Sequence, residues 1–205
     1  MVADHISDVL AAPTAIKLSA NLEILRFESM KVASAVQAVS DLLAAGTVDR
    51  KRTTLVDSSS GVYAYALALA AHRFGMKSHI IGSTTIDTVL KGQLEVLGTS
   101  MEQVPPSSSL KLDQNKRVEL VKDFLENNPD AYWMQQYHDA IHYRGYDGVV
   151  RGSLSHLEGK QVTLVGGVGS GASTGGLAEG LRNMGCTEAY SKRSRTYTLS
   201  SAPNN

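Results

Sequence analysis

Val162-Thr163-Leu164-Val165-Gly166-Gly167-Val168-Gly169-Ser170-Gly171-Ala172-Ser173-Thr174-Gly175-Gly176 reads as a strand, a glycine turn and the start of a helix. The β-branched run Val162 to Val165 suits a buried strand, while Leu177, Leu181 and Met184 mark one face of a helix that starts near Ser173. Between them the glycines at 166, 167, 169 and 171 carry no Cβ, so the backbone can turn tightly and aim successive N–H groups at one anion. The helix N-terminus behind the loop adds open amides and a positive dipole end, and Ser170 and Ser173 add hydroxyl donors. A phosphate site is the expectation. A tight strand-to-helix connection that binds nothing is the plain alternative.

Upstream of this stretch, strand and helix patterns alternate. Ala15 to Leu18 and Leu22 to Leu25 are short apolar runs of strand character, and Met30 to Ala45 has helical period until Gly46 stops it. Thr53 to Val56 predicts a strand, Asp57-Ser58-Ser59-Ser60-Gly61 a turn, and Val62 to Phe74 an alanine-rich helix closed by Gly75. Strand, helix and strand follow at Ser78 to Ile81, Thr85 to Leu97 and Met101 to Val104. Leu112 to Leu125 then predicts a charged surface helix and Ala131 to Met134 a strand. Such alternation predicts an α/β fold with a parallel or mostly parallel sheet and helices on both faces. Ligands gather at the carboxyl ends of such strands, which is where the serine turn and the glycine loop are both expected. Beyond Gly185 the pattern fades: Lys192 to Arg195 reads as a solvated basic run and Ser200 to Asn205 as a frayed tail.

With 205 residues, 42% of them hydrophobic, the chain can bury a substantial core. Its 20 basic and 20 acidic residues balance, so no overall field draws it to nucleic acid or to an anionic membrane. Cys186 is the only cysteine and cannot form an internal disulfide. With acidic Asp4 and Asp8 near the start and no run of membrane-spanning length, the expected location is cytoplasmic.

Four segments, in this order, resemble the cysteine synthase and cystathionine β-synthase family of pyridoxal-phosphate enzymes, which share the tryptophan synthase β-like fold. Glu28-Ser29-Met30-Lys31 resembles the segment in which Ser-x-Lys opens a helix and the lysine holds the cofactor as a Schiff base. Ser59-Ser60-Gly61, followed by Ala64-Tyr65-Ala66-Leu67-Ala68, is similar to the loop that grips the substrate carboxylate. Gln135-Gln136-Tyr137 resembles the glutamine loop that closes on that carboxylate, and Gly167-Val168-Gly169-Ser170-Gly171-Ala172-Ser173 resembles the cup for the cofactor phosphate.

The resemblance runs from about residue 13 to residue 186, and its implications follow from it alone. The cofactor is pyridoxal 5′-phosphate, and the reaction is β-replacement or β-elimination on an activated serine through an aminoacrylate, forming cysteine or a related amino acid. Lys31 is catalytic. Gly167, Gly169, Ser170, Gly171, Ala172 and Ser173 bind the cofactor, and Ser59, Ser60, Gly61 and Gln136 bind the substrate. Residues 1–45 with 145–205 form part of a large cofactor-binding domain, residues 46–144 a small substrate-loop domain, and the assembly is a homodimer.

The chain departs from the family pattern at Val62, where an asparagine normally touches the cofactor hydroxyl, and at Val32-Ala33, where aspartate and arginine normally follow the lysine. Full members also continue past residue 205, so the resemblance implies a C-terminally truncated product, a shortened paralogue or a relative that has lost catalysis. The second reading is therefore a non-catalytic cofactor-binding or regulatory module. A third takes Gly167-x-Gly169-x-Gly171 with Glu188 as a nicotinamide dinucleotide motif, which normally opens a sheet rather than ending one. His138 and His142 lie four apart, a spacing that can hold zinc, but with only distant His156 as a third ligand no metal is expected.

Overall fold

The computed structural model describes residues 3–157, 162–167, 170–185, 189–193 and 196–200. The chain divides into two compact units: Met1–Asp4, Asp8–Ala38 and Gln136–Asn205 form the first, and His5–Ser7 with Val39–Gln135 the second. In chain order, helix α1 (Ile6–Ala11) precedes strands β1 (Thr14–Ser19) and β2 (Leu22–Arg26), which pair as an antiparallel hairpin with Ile16 opposite Ile24. Helix α2 (Met30–Ala44) then runs from the first unit into the second. It buries Val32, Ala35, Ala38, Val39 and Leu42. Gly46, at φ +68°, ends it in the left-handed region that glycine enters without a Cβ clash, and the Thr47 amide returns to the Leu42 carbonyl at 3.0 Å.

The second unit holds the expected parallel sheet. Strands β3 (Thr54–Ser58), β4 (Lys77–Ser83), β5 (Thr99–Val104) and β6 (Ala131–Trp133) are all parallel, in the order β5-β4-β3-β6. Helices α3 (Val62–Phe74), α4 (Thr88–Val96) and α5 (Leu110–Asn127) connect them. Leu55, Val56, Ile80 and Ile81 have no exposed surface, so the two central strands are covered on both faces. Burial on that scale stabilises by about 1.5–3 kcal/mol for each large apolar side chain. Strand order reverses at β3, which makes its carboxyl end the switch point where doubly wound sheets place ligands; the turn after it is Ser59-Ser60-Gly61. Helix α4 starts three residues later than its apolar period suggests because the Asp87 side chain accepts from the Leu90 amide and caps it there.

The rest of the first unit comprises a short 3-10 turn (Ala140–Tyr143), α6 (Arg144–Gly152), α7 (Leu154–Leu157), β7 (Thr163–Gly167), α8 (Ala172–Asn183), β8 (Ala189–Arg193) and β9 (Thr196–Ser200). Tyr146, Val150, Leu177 and Leu181 form its core cluster, packed by Met30, Val162, Leu164 and Met184. Two expectations are corrected here. The strand after Val162 is not buried throughout, since Val165 is 68% exposed and Thr163 is also exposed: the run alternates. Residues 189–193 and 196–200 form strands where a solvated run and the start of a tail are expected, and the sheet β7-β9-β8 is antiparallel. Residues 194–195 and 201–205 lie outside the described residues. Among the described residues no helix is long and apolar enough to cross a membrane.

One buried group makes the second unit sensitive to acid. His79 on β4 is 9% exposed, stacks on Phe124 of α5 at 4.3 Å between ring centroids, and shares a 2.8 Å hydrogen bond through Nδ1 with Ser100. Its Nε2 is buried without a hydrogen-bond partner among the described residues. Burial holds the imidazole below its ordinary value of 6.5, against the opposing pull of Glu102. The unfolded chain therefore takes up a proton at a higher pH than the folded one, and stability falls as pH drops below about 6.5 toward the depressed folded value. Urea unfolding followed by the fluorescence of Trp133, the only tryptophan, should show this acid-side loss, and His79→Gln should flatten it.

Candidate active site

Lys31 is the second residue of α2, and its side chain is half-buried. Its Nζ donates to Gln136 Oε1 at 3.0 Å and to Ser170 Oγ at 3.2 Å. The first unit thus brings together residues 105 and 139 positions apart in the chain. Gln136 is 5% exposed, although an amide on such a loop is more often a surface group. The residue before it explains the turn inward: Gln135 has φ +49°, the only non-glycine positive φ among the described residues. A side chain in that region costs of order 1 kcal/mol or more, and the surrounding contacts hold it there.

The glycine stretch behaves as a strand-to-helix loop. Gly167 ends β7, and Gly169 lies outside the described residues. Gly171 sits at φ +83° as the residue before α8 and offers no side-chain cap. Ala172 is buried as the first helical residue, and Ser173 follows, its Oγ 2.9 Å from the Tyr146 hydroxyl. With no cap from Gly171, the first amides of α8 retain donor capacity, and the Ala172 amide donates to Ser170 Oγ across a long 3.4 Å. An amine, a loop hydroxyl and a helix N-terminus in one place suit a ligand with an electrophilic carbon and an anionic arm.

Close backbone packing makes this convergence possible. A Cβ on Gly145 of α6 would fall onto the Ala33 carbonyl oxygen, 2.7 Å from the Ala33 carbonyl carbon and 2.8 Å from Ser34 Cα. A Cβ on Gly176 of α8 would strike the Tyr146 ring. Ser34, one turn after Lys31, donates to the His142 carbonyl at 2.8 Å and tethers α2 to the 3-10 turn. Ser34 and Tyr146 escape a reading of the sequence, as does the tie of His142 to α2, because their partners lie far away in the chain and leave no periodic mark. The pairing of Ser34 with the His142 carbonyl also bears on the histidine pair. His142 is buried against α2 while His138 is exposed, and His156 lies 2.7 Å from Glu23.

Ser59, Ser60 and Gly61 belong to the second unit. Gly61, rather than either serine before it, holds the N-cap position of the alanine-rich helix. Ser59 Oγ nonetheless accepts from the Ala64 amide at 3.1 Å, and Ser60 Oγ from the Ser83 amide at 2.9 Å. Asp57, 2% exposed, accepts from the Trp133 indole at 3.1 Å and the Ser58 amide at 2.7 Å, and Arg117 donates to Ser58 at 3.2 Å. The turn at the switch point is therefore braced from β6 and α5.

Residues 13–196 match the family described as pyridoxal-phosphate dependent enzyme, and the chain belongs to it. Among curated proteins it is similar to an N-(2-amino-2-carboxyethyl)-L-glutamate synthase of Cupriavidus metallidurans, 29% identical over 129 residues, covering 62% of this chain and 38% of that protein. It is also similar to the L-serine dehydratase/L-threonine deaminase of Mus musculus, 28% identical over 130 residues, covering 63% and 38%. Of solved structures, a hydrogen sulfide-producing enzyme from Fusobacterium nucleatum superposes with a TM-score of 0.76 at 17% identity, over 90% of this chain and 63% of that one. A cysteine synthase from Entamoeba histolytica gives 0.74 at 16%, over 90% and 58%. These structures share the tryptophan synthase β-like fold with this chain, which spans about 60% of their length.

The family's cofactor is pyridoxal phosphate, and the residues fit it. The aldehyde and the phosphate arm are neighbours on its ring, so an attaching amine must lie close to the phosphate donors, as Lys31 lies to Ser170. Ser29, two residues before Lys31, has a buried hydroxyl with no hydrogen-bond partner among the described residues, a polar group that a ligand can satisfy. Since Gly145 lets α6 approach the turn of α2 that follows Lys31, Gly145→Ala should cost about 1–3 kcal/mol of stability and lower the melting temperature of the first unit. An unchanged melting temperature would show that this backbone contact is relaxed without cost.

Proposed function

We propose that this chain holds pyridoxal 5′-phosphate and serves β-replacement or β-elimination on an activated serine, in the manner of a cysteine synthase, to form cysteine or a related amino acid. The observation that carries the reading is the Lys31 amine, hydrogen-bonded at once to Gln136 and to Ser170 of the glycine loop. When bound, the cofactor supplies an electron sink for the pair left at the substrate Cα. Lys31 is the residue proposed to hold the aldehyde end and to carry the proton taken from Cα. Gly167, Gly169, Ser170, Gly171, Ala172 and Ser173 are proposed to hold the phosphate through main-chain amides and hydroxyls. Ser59, Ser60, Gly61 and Gln136 are proposed to grip the substrate carboxylate, so the unit with Lys31 acts as cofactor domain and the other as substrate domain. A cytoplasmic homodimer is the proposed setting.

The similar curated proteins bear the names of a synthase and of a dehydratase/deaminase, which supports chemistry at the β-position without choosing the nucleophile. Val62 favours a second reading. It follows Gly61, is 55% exposed and has no side-chain donor for a cofactor hydroxyl, which suits a module that binds the cofactor without turnover.

Absorbance titration with pyridoxal phosphate separates these readings. The wild type should develop a visible band that Lys31→Ala abolishes. Cysteine formation from O-acetylserine and sulfide should fall at least about 10²–10⁴-fold in the same variant. A band without product from O-acetylserine or serine supports the non-catalytic reading. A protein that stays colourless with added cofactor contradicts both.

A further inference from the structure

We propose that Tyr146 is a positioning residue for the cofactor phosphate: held between Ser34 and Ser173, its hydroxyl donates to Ser173 and leaves the Ser173 proton for the phosphate. This inference rests on the reading of the chain as a pyridoxal-phosphate carrier. Tyr146 has no exposed surface, and its ring lies against Gly176 of α8, so the phenol has little freedom to move. Its oxygen is 2.9 Å from Ser173 Oγ, and Ser34 as well as Ser173 pulls the phenol down against the effect of burial.

Counting protons gives the direction of these bonds. Ser34 Oγ lies 2.8 Å from the His142 carbonyl oxygen and 3.4 Å from His142 Nδ1, so its single proton is committed to His142 and it can only accept from Tyr146. The phenol proton therefore has two takers, Ser34 and Ser173. A serine hydroxyl that gives its proton to an anion keeps two lone pairs with which to accept, and Tyr146 is the donor in place beside Ser173. Burial raises the phenol above its ordinary value of 10.0, which keeps that proton on at neutral pH. An anion on Ser173 thus selects one orientation of a hydroxyl chain that is otherwise free to point either way. Because Ser34 lies one turn after Lys31 on α2, the same phenol ties the amine-bearing helix to the loop helix.

The test compares pyridoxal 5′-phosphate with pyridoxal, which differs only in lacking the phosphate, on the full chain and on Tyr146→Phe, Ser173→Ala, Ser173→Thr and the Tyr146→Phe/Ser173→Ala double variant. Tyr146→Phe should weaken pyridoxal 5′-phosphate about 3- to 10-fold, the worth of one hydrogen bond, and leave pyridoxal unchanged. Ser173→Ala should do the same, the double variant should lose little more than either single change, and Ser173→Thr should stay close to wild type. Equal weakening of both ligands, or additive losses, would overturn the proposal and make Tyr146 a packing residue only. A wild type that binds neither ligand would overturn the cofactor reading itself, and this inference with it. A wild type that binds both equally would leave the cofactor reading intact and refute the phosphate role.

Discussion

One ammonium group gathers the first unit's functional features. The Lys31 amine gives protons to Gln136 and Ser170, so a helix start, a loop and a glycine turn from distant parts of the chain meet at one atom. Hydrogen bonds from a charged donor are worth about 1.5–3 kcal/mol each, offset in part by taking the charge from water. That gain is available only because the backbones approach unusually closely. Gly145 lets α6 touch the turn of α2 that follows the lysine, and Gly176 lets α8 press against the Tyr146 ring. Packing of two glycines thus precedes the chemistry: without it, an amine on α2 and a hydroxyl before α8 have no reason to share a proton.

The second unit solves a different problem. Its two central parallel strands bury both faces, and the reversal of strand order at β3 marks the carboxyl edge where doubly wound sheets place ligands. The serines of the turn there serve structure first: Ser59 meets the start of α3, Ser60 meets β4, and Ser58 accepts from Arg117. Asp57 and Trp133 brace the same edge from inside. A loop that binds a carboxylate benefits from such bracing, because donors held before the ligand arrives lose little freedom on binding.

Much of this architecture is legible in the sequence, and for stated reasons. Helix α3 runs from Val62 to Phe74, where its alanine period and Gly75 put it, and the parallel sheet follows from alternating strand and helix patterns. Local signals fail where the partner is remote. The antiparallel pairing of β8 and β9 has no periodic signature strong enough to outweigh a polar, basic composition. Val165 looks buried from its neighbours' β-branching, yet it alternates outward because β7 covers only one face with α8. The burial of Gln136 depends on the left-handed turn at Gln135, a conformation no residue type at that position announces. Tyr146, Ser34 and the tie between Ser34 and His142 become visible only in three dimensions. The proximity of Lys31 to Ser170 follows from the order of motifs in the resemblance, since nothing in spacing alone joins positions 31 and 170.

The central claim is that the amine at position 31 is where pyridoxal phosphate attaches. Borohydride reduction of the protein with pyridoxal phosphate, followed by peptide mapping, tests it most directly. A pyridoxyl group on the peptide carrying Lys31, at one per chain, is the expected result. Label on other lysines with none on Lys31, or no stable label at all, would contradict it.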